Sequence, residues 1–169
     1  MKNIVFIGMM GSGKTTLGRC ISQKMSKVFI DLDEYIENGE GMEIQEIFEK
    51  YGEEHFRRLE LAYAKDLSKR NDVVIATGGG VIKSDEAIGA LKSGIVIWID
   101  RPDNMIFDSI DTEKRPLIKS NPKAFFDISA KRRPVYESVC DYHFLNDLDE
   151  DEACTKLLSV IEKMQKDND

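Results

Sequence analysis

The sequence of 169 residues is long enough for one domain with a buried core, because a chain of this size buries roughly 70% of the surface that it exposes when unfolded. Its composition, 41% hydrophobic and 33% charged, is typical of globular proteins and excludes a disordered, collagen-like or coiled-coil chain. Acidic residues number 31 against 24 basic ones, a formal net charge of -7, so we expect no general affinity for nucleic acid or for an anionic membrane.

The chain has three cysteines, Cys20, Cys140 and Cys154, which are far apart and form no C-x-x-C pair. This pattern predicts neither a disulfide framework nor a zinc site. The apolar run at residues 4–7 is too short for a signal peptide, and no apolar run approaches the roughly 18 residues that span a bilayer. We therefore expect a protein of the reducing cytoplasm.

Short apolar runs alternate along the chain with longer segments of helical periodicity. The runs with strand character are 3–7, 28–30, 73–76, 95–99 and 142–144. Between them, apolar residues recur every three or four positions, as from Leu17 to Met25 and from Cys154 to Met164. This alternation predicts an α/β fold of three layers, with a central parallel sheet of about five strands between helices.

Two segments interrupt the alternation. Residues 32–70 are helical with no strand between them, and residues 108–122 are polar and rich in turn formers. We interpret the first as an inserted helical module that binds a substrate and the second as a mobile lid. Both would belong to a single domain that spans residues 1–169.

The first strand leads into Gly8-Met9-Met10-Gly11-Ser12-Gly13-Lys14-Thr15, which matches the pattern G-x-x-x-x-G-K-[ST] between a strand and a helix. Its glycines let backbone N–H groups turn toward a phosphate, and the helix directs its positive end to the same place. We expect Lys14 to reach the β- and γ-phosphates of a nucleotide and the Thr15 hydroxyl to bind Mg²⁺. The expected nucleotide contacts are Gly11, Ser12, Gly13, Lys14, Thr15 and Thr16.

Acidic side chains follow two of the predicted strands. Asp31 and Asp33 leave the second strand two residues apart and so point the same way, which allows one to serve a metal and the other a substrate hydroxyl. The alternative is helix capping, with Asp33 as the N-cap. Asp100 precedes Arg101-Pro102, so we expect it to be a helix N-cap rather than a metal acid.

Three consecutive glycines, Gly78, Gly79 and Gly80, follow the third strand. Glycine permits a close backbone approach that any side chain would block, so we interpret this run as the floor of a substrate pocket, with a plain flexible turn as the alternative.

Four arginines are candidates for binding anionic groups, since planar guanidinium is the preferred partner of carboxylate and phosphoryl charge. Arg57 falls in the inserted module, Arg115 in the lid segment, and Arg132 and Arg133 in a later helix. Each of them could alternatively be a solvated surface residue.

Taken together, these motifs resemble the shikimate kinase family over residues 4 to about 140. The segments that match are Gly8 to Gly18, Phe29 to Asp33, Ile36-Glu37, Ile47-Phe48, Gly52-Glu53, Phe56-Arg57, Glu60, Thr77 to Gly80, Arg115-Pro116-Leu117 and Arg132 to Tyr136. The resemblance implies a P-loop kinase fold like that of nucleoside monophosphate kinases. It also implies transfer of the γ-phosphate of ATP to the 3-hydroxyl of shikimate, in the route to chorismate and the aromatic amino acids.

The resemblance assigns roles by position. Asp33 would bind the shikimate hydroxyls and orient or deprotonate the attacking one, while Asp31 would support Mg²⁺ through water. Arg115 would arrive with the lid and neutralise charge on the transferred phosphoryl group, which agrees with a reaction that needs mostly positioning and electrostatics.

The carboxylate of shikimate would be held by Arg57 and Arg132, with a backbone contact from Gly79. Lys131-Arg132-Arg133 leaves the choice of arginine open by one position, and Arg132 is preferred because it precedes Tyr136 by one helical turn. Many family members also have an arginine near the adenine, where this chain has Phe107-Asp108-Ser109.

Two other functions compete with this one. Another small-metabolite kinase, such as a gluconate kinase, would share the phosphate loop and also bind a carboxylate. A non-catalytic nucleotide-binding module would have no need of Asp33 and Arg115, and both are present. The partners that we expect are ATP and shikimate, with Mg²⁺ as cofactor, and we expect a monomer that binds neither nucleic acid nor membrane.

Overall fold

A computed structural model describes residues 2–109 and 121–167 of the chain. Five strands form one parallel sheet in the order β2-β3-β1-β4-β5. Their bounds are β1 Ile4–Ile7, β2 Val28–Asp31, β3 Val73–Ala76, β4 Ile95–Asp100 and β5 Tyr142–Leu145. The predicted α/β fold is confirmed, and each strand differs from its predicted bounds by no more than one residue at either end.

Helices connect these strands and cover both faces of the sheet. Their bounds are α1 Lys14–Lys24, α2 Leu32–Glu40, α3 Ile44–Ser68, α4 Asp85–Leu91, α5 Asp103–Ser109, α6 Pro122–Val139 and α7 Glu150–Lys166. A 3₁₀ turn at Val81–Lys83 precedes α4. Gly52 has non-helical angles inside α3, with φ 80° and ψ 173°, so this element is kinked at that residue.

The period of two in the strands separates the core into two layers. Ile4 and Phe6 of β1 pack on the face that α1 and α7 cover, whereas Val5 and Ile7 pack on the opposite face. All four residues are fully buried because β1 is the central strand. The carboxyl ends of parallel strands meet at one edge, which is where ligands bind in folds of this kind.

Cys20 on α1 and Cys154 on α7 form a disulfide bond, so the expectation of no disulfide is wrong. The two helices pack side by side on one face of the sheet, which places the two Cα atoms 6.4 Å apart. The cysteines are 134 residues apart in the chain, so their spacing does not indicate that they are in contact. Cys140 is a free thiol.

Asp100 is not a helix N-cap, contrary to the expectation from the proline that follows. It is the last residue of β4, and α5 begins only at Asp103. Asp100 is 3% exposed, and its carboxylate accepts a hydrogen bond from Arg133 Nη2 at 2.6 Å, while His143 Nε2 lies 2.8 Å from the same oxygen. The strand thus extends one residue further than predicted, and the carboxylate faces α6 and β5.

The two interrupting segments differ in what the structure describes. Residues 32–70 contain α2 and α3. Most of the predicted lid, including Arg115, lies outside the described residues. Across the described ranges, no helix combines the length and the hydropathy that crossing a bilayer would require.

Candidate active site

The phosphate loop, residues 8–15, joins β1 to α1 at the carboxyl edge of the sheet. Lys14 is buried, and its Nζ donates to the carbonyl oxygens of Gly8 at 2.8 Å and Met9 at 2.7 Å. Ser12 Oγ is also buried and has no hydrogen-bond partner within the described residues. A buried hydroxyl without a partner fits a loop that receives a polar ligand.

Thr15 and Asp31 bring two oxygen atoms together beside this loop. Thr15 Oγ1 donates to Asp31 Oδ2 at 2.9 Å. The other carboxylate oxygen of Asp31 accepts from the backbone N–H groups of Asp33 at 3.0 Å and Glu34 at 3.4 Å, so Asp31, rather than Asp33, is the N-cap of α2. Hard oxygen donors next to a phosphate site are the ligands that Mg²⁺ prefers, and this pair fits it.

Asp33 is free of the capping role and is partly buried. Burial, and then the negative charges of Asp31 and Glu60, raise the pKa of the Asp33 carboxyl to about 6, although Lys14 opposes the shift. A carboxylate with a pKa near the working pH is well matched to accepting a proton from a hydroxyl.

Each glycine of the run after β3 lies against a different part of the site. A β-carbon on Gly78 would lie 2.8 Å from Asp33 Oδ1, and one on Gly80 would lie 2.6 Å from Arg57 Nη2. A β-carbon on Gly79 would lie 3.2 Å from the backbone nitrogen of Met10 in the phosphate loop and 3.4 Å from Arg132 Nη1. The run therefore brings the acid, both arginines and the phosphate loop together, and larger residues would push them apart.

Only one of the two neighbouring arginines on α6 faces the glycine run. Arg132 Nη1 donates to Gly79 O at 3.2 Å. Arg133 points away, pairs with Asp100 and lies over the Trp98 ring. The two side chains thus leave the helix in different directions, and Arg132, which the one-turn spacing to Tyr136 favours, is the one that faces the glycine run.

Arg57 is held by acidic residues of its own helix. Its Nη1 donates to Glu60 Oε2 at 2.8 Å, and its Nη2 lies 3.4 Å from Glu53 Oε1. Glu60 is 1% exposed, and burial raises the pKa of its carboxyl despite the neighbouring guanidinium. Arg57 Nε and Glu60 Oε1 are buried without a hydrogen-bond partner in the described chain, which leaves capacity for a further ligand.

Two residues of this site had no assigned role from the sequence. Tyr136 is fully buried and donates to Gly79 O at 2.6 Å, and desolvation raises the pKa of its phenol to about 12. Glu60 belongs to the residues that match the family, but the sequence gives it no role, whereas in the structure its carboxylate accepts a hydrogen bond from Arg57. The spacing of Arg132 and Tyr136 by one turn was the available signal for the first, and the i,i+3 spacing of Arg57 and Glu60 for the second.

A phosphate loop after the central strand, an acid pair after β2 and a pocket lined by arginines define a P-loop kinase of small molecules. The sequence model described as Shikimate kinase matches residues 10–162. A shikimate kinase from Clostridium botulinum (strain Alaska E43 / Type E3) is 41% identical over 163 residues, which cover 95% of this chain and 98% of that protein. The chain belongs to the shikimate kinase family and is an ATP-dependent kinase.

Solved structures agree with this assignment. The shikimate kinase from Acinetobacter baumannii in complex with shikimate superposes with a TM-score of 0.87 at 33% identity, covering 99% of this chain and 94% of that one. A gluconokinase from Sinorhizobium meliloti 1021 reaches a TM-score of 0.62 at 14% identity over 98% of this chain and 94% of that one, which shows a shared fold alone.

Proposed function

We propose that this chain transfers the γ-phosphate of ATP to the 3-hydroxyl of shikimate, giving shikimate 3-phosphate and ADP for the synthesis of chorismate and the aromatic amino acids. The observation that supports it best is the arrangement around the glycine run. An acid, Asp33, and two guanidinium groups, Arg57 and Arg132, lie against three successive glycines beside the phosphate loop. This is the set of charges that a carboxylate with a neighbouring hydroxyl requires.

In this proposal Asp33 orients the attacking hydroxyl and accepts its proton. A pKa of about 6 leaves the carboxyl mostly ionised at neutral pH and still basic enough to take a proton as the phosphoryl group is transferred. Lys14, which lies at the centre of the loop, moves its Nζ from the carbonyls of Gly8 and Met9 to the phosphates when ATP binds.

Arg57 and Arg132 would bind the substrate carboxylate from two sides of the pocket. Arg57 is already oriented by Glu60, and Arg132 by the carbonyl of Gly79, so little side-chain entropy is lost when the acid binds. Gly78, Gly79 and Gly80 form the floor, with Gly79 contributing a backbone contact.

Thr15, directly, and Asp31, through water, are the residues proposed to hold Mg²⁺, and Gly11, Ser12, Gly13 and Thr16 complete the ATP contacts. Bound there, the ion would neutralise charge on the β- and γ-phosphates. Arg115, which would add positive charge at the transferred group, remains a prediction from the sequence.

A coupled assay of ADP release tests the function. Wild-type protein with MgATP should turn over shikimate and not gluconate, and mass spectrometry should detect one added phosphoryl group on the acid. Turnover of gluconate without turnover of shikimate would overturn the substrate. ATP binding without turnover of either acid would favour a non-catalytic module.

Neighbouring arginines provide a matched test of the carboxylate site. Arg132→Gln should raise KM for shikimate by about 10- to 100-fold, the loss expected for a charge-assisted hydrogen bond, with little change in KM for ATP. Arg133→Gln removes the same charge one residue away and should leave KM for shikimate within about threefold of wild type. A larger effect from Arg133 would reassign the carboxylate ligand.

We further propose a monomeric single domain, with residues 32–70 as the substrate module and 108–122 as the lid, located in the cytoplasm. The Cys20–Cys154 disulfide is the observation that opposes this location, since reducing compartments keep most thiols reduced. Light scattering tests the monomer, and a count of thiols in protein extracted under rapid alkylation tests the redox state in the cell.

A further inference from the structure

Asn146 connects the end of β5 to the phosphate loop. It is the first residue after β5 and is only 4% exposed. Its side-chain Nδ2 donates to the carbonyl oxygen of Ser12 at 2.8 Å. Its backbone N–H donates to the carbonyl oxygen of Asp100 at 2.6 Å, so hydrogen bonding between β4 and this segment continues one residue past the end of β5. No motif in the sequence singles out this residue.

The bond to Ser12 fixes the direction of one peptide group in the loop. In a trans peptide, the carbonyl of Ser12 and the N–H of Gly13 point in opposite directions. Because the carbonyl of Ser12 is directed to Asn146, the N–H of Gly13 is directed away from Asn146. Loops of this kind bind phosphate oxygens through such N–H groups.

Gly13 is the residue that permits this contact. Its φ of 99° lies in the left-handed region, and a β-carbon there would lie 2.6 Å from Asn146 Nδ2. The glycine therefore serves two purposes, since it allows the loop conformation and leaves room for the amide of Asn146.

The other end of the Asn146 connection is rigid. Its backbone partner, Asp100, is itself fixed by Arg133 at 2.6 Å and His143 at 2.8 Å, and the His143 ring stacks on Trp98. Asn146 thus links the loop to a buried, charged and stacked cluster at the ends of β4 and β5. A loop held at this point cannot rotate the Ser12–Gly13 peptide without breaking a buried hydrogen bond.

We propose that Asn146 is a positioning residue for nucleotide binding, which keeps the Ser12–Gly13 peptide oriented so that the N–H of Gly13 faces the phosphates of ATP. The proposal rests on the phosphate-binding role proposed above for residues 8–15. Asn146 acts through the loop and contacts no reacting atom.

Asn146→Ala and Asn146→Asp test the proposal, since alanine removes the donor and aspartate replaces it with an acceptor of nearly the same shape. We expect the Kd for MgADP, measured by calorimetry without shikimate, to rise about tenfold for alanine and more for aspartate. KM for ATP should rise in parallel, whereas KM for shikimate should stay within about twofold of wild type. The alanine variant keeps the test decisive if the aspartate variant does not fold.

Asn3 supplies a matched control at the opposite edge of the sheet. It is 7% exposed, and its Nδ2 donates to the carbonyl of Arg70 at 2.8 Å, the same kind of bond at the same length. The Oδ1 of Asn3 also accepts from the backbone N–H of Val73 at 3.2 Å, so Asn3→Ala should lower thermal stability at least as much as Asn146→Ala. Asn3→Ala and Asn3→Asp should both leave the Kd for MgADP within about twofold of wild type.

Two results would overturn the proposal. One is an unchanged Kd for MgADP in Asn146→Ala. The other is an equal loss of affinity in the Asn3 and Asn146 variants, which would make the effect one of general stability. Nucleotide binding is measured without shikimate, so a wild-type protein that binds MgADP but does not phosphorylate shikimate would contradict the proposed function and still allow the Asn146 comparison.

Discussion

The two sides of the site are stabilised in different ways. On the nucleotide side, the phosphate loop is held by hydrogen bonds to its own main chain, from Lys14 and from Asn146, and α1 behind it is linked to α7 by a disulfide. In these hydrogen bonds the acceptors are backbone carbonyl oxygens, which carry no formal charge. We therefore expect the main chain of this side to keep its conformation when a ligand binds.

On the acid side, the contacts are between charged groups that are partly removed from water. The pKa values of Asp33 and Glu60 are both raised, chiefly by burial, and Arg57 Nε has no partner in the described chain. Desolvated charges are unfavourable until a complementary group arrives. We therefore expect affinity for ATP to depend mainly on backbone geometry, and binding of the acid and the chemistry to depend on charged groups whose burial opposes folding.

The largest expected effect is on the acid side. Asp33→Asn should lower kcat by about 10²- to 10⁴-fold, the usual contribution of a general base, because the amide keeps the shape and loses the basic oxygen. The Kd for MgADP should change much less than kcat, since the hydrogen bonds from Lys14 and Asn146 to the main chain of the phosphate loop do not involve Asp33. Single-turnover kinetics with saturating shikimate and calorimetry with MgADP measure the two quantities separately.

The wild-type pH profile provides the companion measurement. Since the pKa of Asp33 is about 6, kcat should fall as pH drops through that value, because the protonated carboxyl cannot accept a proton. Full activity in Asp33→Asn, or a profile without this acid limb, would remove Asp33 from the chemistry.

The next effect concerns the nucleotide side. Reduction of the Cys20–Cys154 bond should lower the free energy of unfolding by about 2–4 kcal/mol, because the bond joins cysteines 134 positions apart and so closes a long loop in the unfolded chain. Urea unfolding with and without a phosphine reductant measures the loss. KM for shikimate should change by less than about twofold, because neither of the helices that the bond joins contributes a residue to the proposed carboxylate site.

Cysteine chemistry supplies the controls for this experiment. The double variant Cys20→Ala/Cys154→Ala retains Cys140 and should respond to the reductant by less than about 0.5 kcal/mol. With three cysteines in the chain and two in the bond, denatured protein without reductant should show one reactive thiol. Three reactive thiols before reduction would contradict the bond.

The features that could be predicted from the sequence are those formed by residues adjacent in the chain. The phosphate loop is contiguous, and the five strands are short apolar runs, so both could be located without coordinates. Contacts between distant segments could not. The Cys20–Cys154 bond and the Arg133–Asp100 pair depend on which faces of α1, α6 and α7 meet the sheet. No pattern in the sequence records that choice.

The pKa of Asp33 escaped prediction for the same reason. Its proximity to Asp31 is visible in the sequence, but burial is the largest cause of the shift, and Glu60 contributes from another helix. The acid pair could be identified as functional from its spacing, whereas the assignment of capping to Asp31 and of the raised pKa to Asp33 required the fold.

A third prediction separates stability from activity on the acid side. A raised folded-state pKa means that the ionised Asp33 opposes folding above about pH 6, and that this cost disappears as pH falls toward the ordinary value of 3.8. Asp33→Asn should therefore unfold with about 1–3 kcal/mol more free energy than wild type near neutral pH, and the gain should shrink below pH 6.

Glu54→Gln is the control, since Glu54 has an 89% exposed side chain on the same module. Its effect on unfolding should remain below about 0.5 kcal/mol at either pH. A destabilised Asp33→Asn protein at neutral pH would mean that the carboxylate is stabilised in place, and the contrast between the two sides of the site would fail.

The smallest effect is expected where the acid side does use a neutral hydrogen bond to the main chain. Tyr136→Phe removes the bond to the carbonyl of Gly79 and leaves that carbonyl with Arg132 alone, so we expect a loss of about 1 kcal/mol in stability. KM for shikimate should rise by about two- to fivefold, because Arg132 is then free to move with the glycine run, while KM for ATP should not change. Tyr63→Phe is the matched control, since its hydroxyl bonds to Glu40 at the surface, where such bonds contribute little. An equal rise of both KM values in Tyr136→Phe would show that Gly79 couples the two sides of the site through Met10. The distinction between a side held by main-chain hydrogen bonds and a side held by charged groups would then fail at Gly79.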